Sequence, residues 1–188
     1  MSKFKITFNS PIILGFAGIC LIATILNYAT LGISNELLFM TYHSSLSSPM
    51  TYLRFFTHVF GHADWAHFIG NMSYILLLGP MLEEKYSSAV LVEVIAVTAL
   101  ITGLINYVFF WQVALCGASG VVFAFIIMSS FTSFKEGEIP LTFILIAVLY
   151  IGQQVVQGIT LDDNVSNMAH IIGGLIGGAS GYVLNKKE

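Results

Sequence analysis

The sequence predicts an all-α, polytopic membrane protein, a bundle of six transmembrane helices in one domain spanning residues 1–188. Three observations predict it. Of 188 residues, 56% are hydrophobic and only 9% charged, too little polar surface to cover a water-soluble globule. Six apolar runs approach the roughly 20 residues that a helix needs to cross a bilayer core. The basic residues, finally, fall almost wholly on one side when those runs are threaded through a membrane.

The first run, Pro11 to Leu31, follows two lysines. It is as long as a full span and closes on no small-x-small cleavage site, so it reads as a membrane helix rather than a signal peptide. The remaining spans are expected at His67 to Leu82, Ser87 to Phe110, Gly117 to Phe134, Pro140 to Gly158 and Val165 to Leu184. The second and fourth are short, so their ends are expected below the membrane surface. Six spans put Lys3, Lys5, Lys85, Lys135, Lys186 and Lys187 on one side and only Arg54 on the other. The positive-inside rule then places both termini in the cytoplasm. The first loop, Gly32 to Thr57, and the loop with Asp162 and Asp163 face outward. That first loop carries Leu38, Phe39, Met40, Tyr42, Phe55 and Phe56, and is expected either to lie in the membrane interface or to rest on the helix tops.

Cys20 lies mid-span and Cys116 at a helix mouth, so no disulfide is expected. A net charge of -3 gives no reason to expect a nucleic-acid partner. His58, His62 and His67 are close in sequence, but no H-E-x-x-H occurs and no carboxylate completes a zinc site, so neither metal nor other cofactor is expected. Glu93, near the Lys85 end of its span, is explained by snorkelling or a local partner.

The informative residues are the polar ones at membrane depth, which are costly unless they face the interior. His67 and Asn71 are four apart and share one helix face. Cys116, Gly117, Ala118, Ser119 and Gly120 set one hydroxyl between small residues where an apolar helix begins. A lone G-x-S-G is a weak signal. The last run adds Asn167 and His170, a ridge of Gly173, Gly177 and Gly181, and an adjacent row of His170, Gly174 and Gly178. The row through Gly174 and Gly178 continues beneath the histidine, and the smallness of Gly173, Gly174, Gly177 and Gly178 is expected to set how closely the sixth span approaches the fourth.

Together these motifs resemble the rhomboid family of intramembrane serine proteases, most closely the compact six-helix bacterial type. The resemblance runs from Arg54 onward: His62, His67 and Asn71 as H-x-x-x-x-H-x-x-x-N, then Glu83, then G-A-S-G with Ser119, then A-H-x-x-G-G with His170. It implies a catalytic dyad of Ser119 and His170. It further implies an oxyanion site from His67, Asn71 and the backbone N–H groups of Ser119 and Gly120, with His62, Glu83, Gly117, Phe123 and Gly174 in support. The implied reaction is endopeptidase cleavage of single-span membrane proteins near the outer face of a bacterial inner membrane, with lipid as the surrounding partner. Two positions depart from the pattern: Leu53 precedes Arg54 where a tryptophan is common, and Phe123 stands where a tyrosine often stacks on the histidine. The alternative is a non-catalytic rhomboid-like chaperone, which should lack the serine or the histidine. A small transporter should show broken helices in two similar halves, and no such repeat is found.

A serine hydroxyl becomes a useful nucleophile when a neutral imidazole takes its proton, and a dyad needs no third acid. The start of a helix offers unpaired N–H groups and the positive end of the dipole to a developing oxyanion. The fifth span, Pro140 to Gly158, has no ionisable residue and is expected to be the mobile flank that admits substrate.

Overall fold

The computed structural model describes residues 7–132, 138, 141–152 and 164–185. Among them the chain is helical apart from loops and one isolated antiparallel bridge, Thr41 with Leu115. The helices are α1 (Pro11–Ala29), α2 (Pro49–Thr57), α3 (Trp65–Tyr86), α4 (Ser88–Phe109), α5 (Ser119–Ser129), α6 (Leu141–Ile146) and α7 (Asn164–Asn185). A π turn follows α6 at Ala147–Ile151, and another lies in the first loop at Asn35–Phe39. Among the described residues two helices, α1 and α4, are long and apolar enough to cross a membrane; α5 is apolar but shorter.

α5 is the axis of the bundle. Every residue from Gly120 to Met128 is buried, so this helix has no polar face, as expected of a central element. Its 11 residues span about 16 Å at 1.5 Å each, well short of a bilayer core. The helix ends at Ser129, short of the expected Phe134, and at this end the Ser129, Ser130 and Thr132 hydroxyls bond back to the carbonyls of Ile126 (2.7 Å), Ile127 (2.8 Å) and Ser129 (2.8 Å). Such back-bonding competes with the helical ladder.

α7 lies along α5 more extensively than any other pair of helices touches. A Cβ built on Gly173 would overlap the Gly120 carbonyl oxygen, and one on Gly177 the Ala124 carbonyl oxygen and, at 2.7 Å, its Cα. Backbone therefore meets backbone, the approach that small residues permit where lipid leaves no hydrophobic drive between helices. The contact runs along the expected ridge, and a Cβ on its third member, Gly181, would lie 2.7 Å from the Phe131 ring. Gly173 and Gly177 make the contact, a Cβ on Gly178 would meet only Ile127 Cγ2 at an ordinary 3.5 Å, and Gly174 is buried.

α3 begins and ends beyond its expected limits. Asp64 caps its start by accepting from the His67 N–H at 2.8 Å, the usual role of an aspartate there. Its far end continues through the charged residues because Glu83 turns inward. The carboxylate accepts from the Ile12 and Ile13 N–H groups, both at 3.1 Å, and from the Ser88 hydroxyl at 2.6 Å. One side chain thereby satisfies orphan donors at the start of α1 and fastens the ends of three helices. In the first loop, α2 buries Thr51, Arg54 and Phe55 and leaves Tyr52, Leu53 and Phe56 exposed. Arg54 organises this loop, donating to Glu36 O (3.3 Å), Ser44 Oγ (3.2 Å) and the Tyr42 hydroxyl while lying 4.2 Å from the Tyr42 ring centre.

Of the fifth expected span, the part before Leu141 and the part after Gly152 lie outside the described residues. So do Asp162 and Asp163, and among the basic residues Lys3, Lys5, Lys135, Lys186 and Lys187.

Candidate active site

Three segments distant in sequence meet at the mouth of α5. Ser119 opens the helix and is partly exposed, while Gly117, Ala118 and Gly120 around it are buried. As a first-turn residue its N–H, like that of Gly120, has no acceptor within the helix. Gly117 turns the chain into the helix with φ +128°, a left-handed geometry that favours glycine. A Cβ there would also lie 2.7 Å from His67 Cε1, 2.8 Å from His67 Nε2 and 3.8 Å from Asn71 Nδ2. The backbone before the serine therefore rests against both polar side chains of α3. Asn71 is 7% exposed and its Nδ2 has no hydrogen-bond partner among the described residues. A buried donor left unpaired is costly, and this one sits beside the turn that leads to Ser119.

From the other side comes α7. A Cβ on Gly120 would be 3.4 Å from the Ala169 carbonyl oxygen, so His170 enters at the level of the α5 start. Its ring is stacked on that of Phe123, 4.3 Å between centroids and 5° between planes. Phe123 is four residues after Ser119 and hence on the same face of α5. The aromatic wall is present without a phenol.

The loop before Ser119 is fastened from above. Leu115 and Thr41 exchange both backbone hydrogen bonds, at 2.8 and 2.9 Å, and the Gly117 N–H donates to the His58 carbonyl at 2.9 Å. Asn106 Nδ2 donates to the Thr41 and Val113 carbonyls, each at 3.2 Å. His58 in turn bridges α2 and α4, with Nδ1 3.1 Å from Arg54 O and Nε2 3.2 Å from Thr102 Oγ1. The sequence reading passed over Asn106 and Thr102. The signal was available, since both are polar, four apart and in the second half of a largely apolar helix.

His62 is fully buried, with Nδ1 3.1 Å from the Phe60 carbonyl and its ring edge-on to His67 at 5.1 Å. Burial pushes the pKa of His58 and of His62 down to about 4, His67 adding repulsion at His62. Both are held neutral. Cys116 is a free thiol whose pKa burial pushes up to about 11, so it stays protonated beside the serine and is a poor nucleophile. Cys20 is free and buried in α1. Among the described residues no three His, Cys, Asp or Glu side chains are grouped to hold a metal ion.

The family model for the Rhomboid domain matches residues 49–187, from α2 through α7. The chain belongs to the rhomboid family. A comparison with curated proteins returns no match. Rhomboids are in general intramembrane serine proteases, and the family also includes non-catalytic rhomboid-like members. For this rhomboid, the matched region contains each of the segments that meet at the α5 mouth except Thr41.

Proposed function

We propose that the chain is an intramembrane serine endopeptidase with Ser119 as nucleophile and His170 as base. The observation that carries this reading is the parallel stack of His170 on Phe123, one helical turn below Ser119, which sets an imidazole along the serine's own helix face. In the proposed reaction His170 takes the Ser119 proton as Oγ attacks the scissile carbonyl carbon. The resulting oxyanion accepts from the Ser119 and Gly120 N–H groups, His67 and Asn71. His170 then gives its proton to the leaving amine, and the imidazole next activates the water that frees the acyl group. Asn71 supports the reading because its buried donor has no hydrogen-bond partner among the described residues.

The proposed setting is a bacterial cytoplasmic membrane crossed six times with both termini inside, supported by the apolar lengths of α1 and α4 and by the one-sided basic residues. The proposed substrates are single-span membrane proteins whose helix unwinds near the outer face. Labelling with a fluorophosphonate probe, together with cleavage of a reconstituted single-span substrate, tests the reading. Wild-type protein should be labelled and active, whereas Ser119→Ala should lose both and His170→Ala should lose cleavage. Full cleavage by either variant, or absence of labelling in the wild type, would reject the dyad in favour of a non-catalytic role.

A further inference from the structure

Both ends of the first-loop π turn, Asn35–Phe39, bear on the backbone just before α3. At one end the Asn35 Nδ2 donates to the His62 carbonyl at 3.0 Å, and Asn35 is only 2% exposed. At the other, a Cβ on Gly61 would overlap the Phe39 carbonyl oxygen and lie 2.9 Å from Phe39 Cβ. Gly61 has an ordinary φ of -72°, so a glycine is needed there for space, where the two backbones touch. Between these ends the Leu38 carbonyl accepts from the Thr57 hydroxyl. α1 grips the same point, since Asn27 Nδ2 also donates to the His62 carbonyl, at 3.2 Å. A carbonyl oxygen has two lone pairs, and amides from two separate elements converge on this one.

What this clamp holds is the approach to His67. Two residues after the doubly bonded carbonyl, Asp64 caps α3 by accepting from the His67 N–H at 2.8 Å. The His62 ring is fully buried, edge-on to the His67 ring at 5.1 Å and to that of Phe68 at 5.5 Å. His67 therefore meets the clamped residue twice, through the backbone that starts its helix and through the ring beside its own. Its Cε1 and Nε2 lie on the other hand against the Gly117 turn that leads to Ser119. A donor stabilises a developing oxyanion only where its position is fixed beforehand, and π turns occur often at functional sites. We infer, on the proteolytic reading of Ser119 and His170, that Asn35 is a positioning residue for the oxyanion donor His67 and acts through the His62 carbonyl. The first-loop π turn is then part of the apparatus that sets the reaction rate.

The test is a double-mutant cycle on the full chain in detergent, read by steady-state cleavage of a fluorogenic single-span substrate. Asn35→Ala should lower kcat about tenfold, as a shift well short of 1 Å would, and leave KM unchanged. In a His67→Ala background the same change should cost less than about threefold, because the donor it positions is gone, whereas with Phe123→Ala the two losses should multiply. An asparagine that only stabilised the fold would multiply in both. A second readout needs no proteolysis. In magnetic resonance spectra of isotope-labelled histidine, with the His67 ring signals assigned by their loss in His67→Ala, Asn35→Ala should shift His67 and leave His170 in place. Circular dichroism confirms that each variant is folded; if Asn35→Ala does not fold, Asn35→Ser, which stays polar but is too short to reach the carbonyl, takes its place in both measurements. Wild-type kcat in the Asn35 variant, a change in KM alone, losses that multiply with His67→Ala, or unmoved His67 signals would each overturn the inference. A wild-type chain that neither cleaves substrate nor takes the fluorophosphonate label would reject the proteolytic reading instead, and the His67 signals would still decide whether Asn35 positions that ring.

Discussion

The rings of His170 and Phe123 lie 5° from parallel with centroids 4.3 Å apart, so the orientation of the proposed base is set by a side chain on the helix that carries the proposed nucleophile. Phe123→Ala removes that wall and frees the imidazole to tilt. A displacement of about 1 Å costs on the order of a hundredfold in rate. The expected outcome is a ten- to hundredfold fall in kcat with KM little changed, whereas Phe123→Tyr, which keeps the ring, should retain most activity. A Phe123→Ala enzyme that matches wild type in steady-state cleavage would show that the stack does not position the base.

Asn71 and His67 are expected to act on charge that exists only in the transition state. Asn71→Ala and His67→Ala should each lower kcat by about 10²–10³ and leave KM nearly unchanged. Kinetics against a fluorogenic single-span substrate separates the two parameters. A rise in KM alone would reassign the residue to substrate binding.

The glycines of α7 are predicted to differ according to what faces them. Gly173→Ala and Gly177→Ala push a methyl group into the backbone of α5, which cannot rotate aside, so both should lower the thermal midpoint and cost most of the activity. Gly178→Ala has room and should be close to neutral. Gly181→Ala meets the Phe131 ring at 2.7 Å; a ring can shift, so its effect should be intermediate. Thermal denaturation of the purified variants in detergent ranks them, and a Gly178→Ala more damaging than Gly173→Ala would contradict the observed helix face.

His58 and His62, at 1% and 0% exposure, make stability depend on pH. Burial lowers each from 6.5 to about 4, so between those values the unfolded chain binds protons that the folded chain refuses. Stability must therefore rise with pH through that window and fall on acidification from about 6.5 toward 4, by roughly 3 kcal/mol at most for each residue. The thermal midpoint measured from pH 7 to 4.5 should drop accordingly, and His62→Gln should flatten part of that slope. A midpoint unchanged over the range would mean that the two imidazoles are not held neutral.

Sequence alone determined the class of protein and the places where chemistry was to be sought. Apolar length is a local property, so α1 and α4 were legible to within two residues of their ends. His67, Asn71, Ser119 and His170 stood out because polar groups are rare in apolar runs. What brings them together was not legible. That α5 is enclosed on all sides, that Gly173 and Gly177 meet its backbone while Gly178 does not, and that the loop before Ser119 hangs from Thr41, His58 and Asn106 all depend on how helices distant in sequence are rotated against one another. A shift of one residue turns a helix by about 100°, and periodicity in a uniformly apolar segment does not say which face turns inward. Glu83 shows the same limit from the other direction. Its charge marked the end of a span in the sequence, but three donors from α1 and α4 turned it inward and carried α3 past that end, because a buried carboxylate is stable where tertiary structure supplies its hydrogen bonds.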